Sequence, residues 1–103
     1  MKTITTAALL AVFISPIAAE AVNAGPISRA CMSSPRKQKS ASLCHCIQKV
    51  ANQTLDGADQ RRGAKYFRKP EKLQEVRQSD LRSNEVFWKR WKAFGQAASQ
   101  ACR

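Results

Sequence analysis

Two sets of residues have the types and spacing that chemistry uses. The first is the triplet Cys44-His45-Cys46, with Cys31 and Cys102 elsewhere in the chain. Sulfur and imidazole at such short spacing read either as ligands of a soft metal, in a zinc or copper site that recruits Cys31 or Cys102, or as halves of disulfides. The second is the basic stretch Arg61, Arg62, Lys65, Arg68, Lys69 and Lys72, which has Tyr66 and Phe67 among its charges. Cations beside an aromatic are what a polyanion site requires. The same pattern is also what a solvated helix face gives when its aromatics point into a core.

The cysteine set resolves toward bridges. Zinc sites commonly space their cysteines C-x-x-C, which the triplet lacks. It is not C-x-x-C-H either, so covalent haem attachment is excluded, and a thioredoxin-like redox site lacks its motif. Residues 1–24 read as a cleaved export signal: Lys2, the apolar run Ala7 to Ile14, then Ser15-Pro16 and small residues up to Ala24. An exported chain meets an oxidising compartment, and there cysteines pair. Cys44–Cys46 is disfavoured, because neighbours two apart on a helix point to different sides. That leaves Cys31–Cys44 with Cys46–Cys102, which is preferred, or Cys31–Cys46 with Cys44–Cys102. No cofactor is called for.

Other chemistry has little to use. His45 is the only histidine and is expected on the wet side of its helix. The carboxylates Glu71, Glu75, Asp80 and Glu85 alternate with Lys and Arg, the pattern of surface ion pairs. The chain is therefore read as non-enzymatic. Asn52-Gln53-Thr54 matches a glycosylation sequon but falls inside an expected helix.

The elements that position these residues are helices. Residues 25–103 show no alternating apolar–polar run, so the expected fold is all-α, a small disulfide-stapled bundle of four to five short helices in a single domain. A short helix spans Pro26 to Ser33, followed by a polar, basic loop through Lys39. Ser40 caps a second helix running to Thr54, with Leu43, Ile47, Val50 and Thr54 as its inward stripe. Asp56 caps a third running to Phe67. Pro70 stops that helix and opens a fourth running to Gln78, with Leu73 and Val76 facing inward. Ser83 is expected to cap the last helix, Asn84 to Ala101. Phe87, Trp91, Phe94, Ala98 and Cys102 form its apolar stripe, with Trp88 and Gly95 beside it. The run from Phe87 to Lys92 resembles a cationic membrane-surface peptide, yet in so short a chain its aromatics are better used as core.

The chain has 103 residues and a net charge of +11. Lys2 and Glu20 cancel, so the whole charge belongs to residues 25–103. Nothing there is apolar enough to span a bilayer. A domain this small buries only about 60–65% of its unfolded surface, so two bridges of roughly 2–4 kcal/mol each would be a large share of its stability. The charge points to an anionic partner such as an acidic protein, a polysaccharide or a membrane surface. Arg36, Lys37 and Lys39 extend the basic surface.

The C-x12-C-x-C spacing, the run Asp59 to Phe67, the run Glu75 to Asp80 and Phe87-Trp88-Lys89-Arg90 together resemble a family of small exported alphaproteobacterial proteins. Members are sometimes labelled "arginine transporter". The export signal implies a periplasmic or secreted location, and the family label implies an accessory role in small-molecule binding. It carries over no catalytic or binding residues. Holding a guanidinium calls for clustered carboxylates, and Glu71, Glu75 and Asp80 are the local concentration of acid.

Overall fold

The computed structural model describes residues 25–103, and the export segment assigned to residues 1–24 lies outside the described residues. Five helices follow one another: α1 (Pro26–Met32), α2 (Ala41–Thr54), α3 (Gly57–Arg68), α4 (Glu71–Arg77) and α5 (Arg82–Ala101). Among the described residues there is no strand. The all-α bundle is as expected, and local sequence sets most of its boundaries. Ser40 accepts a hydrogen bond from the Leu43 N–H, and Asp56 accepts one from the Asp59 N–H. Each satisfies an N–H that the first helical turn leaves unpaired.

Three helix ends fall one residue from the sequence expectation, at Met32, Arg68 and Arg77, and two helix starts differ from it. Pro70 caps α4 rather than opening it, so the helix runs Glu71–Arg77. The last helix begins at Arg82 and takes in Ser83, with Leu81 at its cap position. No side chain caps the first turn of this helix; Ser79 Oγ accepts instead from the Leu81 N–H and from Asn84 Nδ2, at 3.2 and 2.8 Å, and so fixes the approach to it.

α1 packs on α2 and α3, while α5 packs along α2 and α4. Ile27 and Ala30 are completely buried on α1. The aromatic stripe of α5 is the other half of the core, as expected: Phe87, Trp91 and Phe94 are all buried. Trp91 is its hub. Its ring stacks on Phe87 at 5.7 Å between centroids, meets Phe94 at 5.0 Å, and meets Phe67 edge-on at 5.9 Å.

The inward stripe of α2 is the main correction to the fold. The buried positions are Cys44, Gln48, Val50 and Ala51, followed by Leu55 just after the helix. Leu43 and Ile47 are half-buried and Thr54 is exposed. The bridges explain this rotation. Cys44 is tied to Cys31 on α1, and Cys46 to Cys102 at the end of α5, with Cα–Cα distances of 5.5 and 5.7 Å. Leu43 lies angularly between the two cysteines on the helix. α1 and α5 are therefore drawn to either flank of the Leu43–Ile47 stripe, and the stripe faces the gap between them. His45 is half-buried rather than exposed.

Gln48 and Gln60 fill the junction of α1, α2 and α3. Gln48 Oε1 accepts from the Ser28 N–H at 2.9 Å, and its Nε2 donates to Gln60 Oε1 at 2.8 Å. Gln60 Nε2 in turn donates to the Ala51 and Leu55 carbonyls that end α2. Both side chains are buried. A buried amide is tolerated only when its donors and acceptors are paired, and these are.

Candidate functional site

The chain reverses direction where α3 meets α4, and this turn builds a basic cleft. Lys69 leaves the helical region before Pro70, where a pre-proline residue disfavours helix, and ends α3. α4 then folds back, so that Lys65, Arg68, Lys69 and Lys72 line one depression of about 370 Å³. Tyr66 and Val76, both buried, contribute its apolar part. The only carboxylate among the lining residues is Glu75, whose Oε1 is 3.7 Å from Lys72 Nζ. That pair is exposed on both sides and so is weakly held.

The six basic residues singled out in the sequence thus divide into four and two. Arg62 is used internally. Its guanidinium donates to Asn84 Oδ1 and lies over the Phe87 ring, 4.2 Å from the centroid. It pins α3 to α5 while covering the face of a core aromatic. Arg61 lies outside the cleft, its guanidinium folded back beside Gly57. Arg61, Lys65, Arg68 and Lys72 are at helical spacing, but the break between α3 and α4 lies before Lys72, which joins the cleft through the turn and not through helical periodicity.

The cysteine triplet is not a metal centre in this structure. Both of its sulfurs are in bridges, as are those of Cys31 and Cys102, and a disulfide has no thiolate to offer a metal. The pairing is Cys31–Cys44 with Cys46–Cys102, the preferred alternative. The candidate acids also separate. Glu75 lines the basic cleft, while Asp80 lines another depression with Glu85 and Trp88, flanked by Arg77 and Lys89. Asp59 is used structurally. Its carboxylate accepts two hydrogen bonds from Arg90, one of them 3.1 Å long. This contact is the main reason that the Arg90 guanidinium is held above its ordinary pKa.

A second feature was not foreseen. The gap faced by Leu43 and Ile47 is an open trough formed by two adjoining depressions of about 430 and 390 Å³, which share Arg36, Leu43, Ile47 and Phe67. The basic loop after α1 closes one end, and Trp91, Phe94 and Gly95 of α5 line the other. Its sequence signal is the apolar pair Leu43 and Ile47 beside Arg36, Lys37 and Lys39, a pair that helical periodicity places in the core.

Two bridges are compatible with an oxidising compartment. No helix among the described residues is long and apolar enough to cross a membrane. Comparison with protein-family models, with curated proteins and with solved structures finds no match.

Proposed function

We propose that this chain is an exported, non-enzymatic binding module that engages an anionic partner through the cleft at the α3–α4 turn. The observation that carries the reading is the convergence of Lys65, Arg68, Lys69 and Lys72 on one depression with a single, weakly paired carboxylate. Cations held near one another, and not neutralised within the chain, raise the local concentration of anions and speed their association. The net charge of +11 extends the same field over the rest of the molecule. Export is part of the proposal: it accounts for the apolar run Ala7 to Ile14 and for the use of all four cysteines in bridges. The non-enzymatic reading is supported by the place of the sole histidine, between two cysteines whose sulfurs are tied up.

Salt dependence tests the proposal. The oxidised protein is titrated with a sulfated polysaccharide, and the dissociation constant is followed as NaCl rises from about 50 to about 500 mM, a range over which the Debye length falls well below 10 Å. Affinity should drop steeply and continuously. A dissociation constant that does not change with salt would contradict an anion-binding function.

A further inference from the structure

We propose that the trough between the 33–39 loop, α2 and α5 binds the hydrocarbon chain of a medium-chain fatty acid, whose carboxylate is held by Arg36, Lys37 and Lys39. This site is separate from the basic cleft and does not depend on it.

The first argument is the lining. Leu43 and Ile47 are one helical turn apart on α2 and are only half-buried, and Phe67 of α3 faces the same space. Large aliphatic side chains left uncovered in a concave channel are the usual wall of a small-molecule site, and about 430 Å³ lies within the usual range for one.

The second argument is Gly95. It sits inside α5, where glycine is a poor residue because it leaves the backbone too free. Close packing explains Gly63, where an added Cβ would meet the Trp91 ring at 2.0 Å. It does not explain Gly95, where an added Cβ would meet nothing within 4 Å. The space above Gly95 belongs to the trough. Gly95 is itself exposed, so it lines the open side of the trough, and the chain puts no group of its own there.

The third argument is charge. Lys37 and Lys39 line the loop end of the trough, Arg36 lines both of its depressions from the same loop, and no Asp or Glu lines either. Lys39 Nζ donates to the Ser34 carbonyl at 2.6 Å, which fixes the ammonium at the mouth and leaves its charge uncompensated. Apolar wall along the length and cations at one end match a molecule with one apolar tail and one anionic head.

The test uses the oxidised protein and isothermal titration with saturated fatty acid salts of eight, ten and twelve carbons, each below its micelle concentration. One site per chain is expected, with affinity rising about two- to fourfold for each added methylene. Gly95→Leu, whose side chain would stand in the trough without touching the core, should weaken dodecanoate binding at least tenfold while the circular dichroism is unchanged. Arg36→Glu with Lys37→Glu should weaken it without Gly95 being altered, which keeps the proposal testable if the leucine variant fails to fold. Equal affinity for the uncharged dodecyl maltoside would overturn the proposal, as would unchanged binding in the folded Gly95→Leu protein. Sedimentation showing a dimer that Gly95→Leu dissolves would also overturn it, by making a second copy the occupant.

Discussion

The indole of Trp91 rests directly on the backbone of Gly63: a Cβ built at Gly63 would lie 2.0 Å from Cζ3 of that ring. No rotamer adjustment of a buried tryptophan at the centre of the aromatic cluster relieves so short a contact. The missing side chain is what lets α3 approach α5.

Gly63→Ala should therefore destabilise the fold by about 1–3 kcal/mol, the usual cost of overpacking a filled core. Gly95→Ala, with open space above it, should stabilise the protein by about 0.5–1 kcal/mol through helix propensity alone. Urea unfolding of the two variants checks both signs. A destabilised Gly95→Ala would contradict the open space beside Gly95.

The bridges close loops of very different length. Cys31–Cys44 spans 13 residues and Cys46–Cys102 spans 56. Loop-closure entropy then assigns about 3 kcal/mol to the first and about 4 kcal/mol to the second. Paired alanine variants, compared by denaturant unfolding, should follow that order, and a non-reducing peptide map should recover only these two linkages. A Cys31–Cys46 peptide would contradict the packing of α1 described here.

Gln48 serves three helices, so its loss should be costly. Gln48→Ala strips a partner from the Ser28 N–H and from Gln60 Oε1, both in buried surroundings. An unsatisfied buried polar group costs about 1–3 kcal/mol. Thermal unfolding should show a loss of that size, together with faster amide exchange at Ser28.

The two ion pairs among the described residues should behave unequally. Arg90 makes two hydrogen bonds to the buried Asp59 and ties α5 to the start of α3, whereas Lys72 and Glu75 meet in solvent. Arg90→Ala should lower the melting temperature clearly more than Lys72→Ala does. Equal shifts would show that the Asp59 contact contributes nothing beyond its surface charge.

What could be read from the sequence follows from which signals are local. The α5 stripe from Phe87 to Ala98 repeats at helical spacing over three turns, and the caps at Ser40 and Asp56 are single-residue chemistry; all appear where expected. The face of α2 did not, because two faces of that helix carry apolar residues. Leu43, Ile47 and Val50 make one stripe; Cys44, Ala51 and Leu55 make the other. Only the bridges decide which one turns inward, and their pairing was open in the sequence. Gln48 and Gln60 went unnoticed for a related reason, since a glutamine reads as solvent-facing until partners from three helices surround it. The basic stretch was visible as composition. Its division into a four-residue cleft, an inward Arg62 and an outlying Arg61 required the turn at Lys69-Pro70 to be placed in three dimensions.

A protein with a net charge of +11 will attract polyanions to some degree wherever its cations lie, so specificity for the cleft must be separated from charge alone. Two triple variants with the same net charge do this directly. Lys65→Gln, Arg68→Gln and Lys69→Gln remove cations from the cleft; Arg29→Gln, Lys49→Gln and Lys92→Gln remove exposed cations elsewhere. Their affinities for one sulfated polysaccharide are measured in about 0.1 M salt, where the Debye length is near 10 Å and distant charges are largely screened. Binding through the cleft predicts a loss of about tenfold or more in the first variant and about twofold or less in the second. Equal losses in both would contradict a binding site at the α3–α4 turn and leave only the overall charge of the molecule.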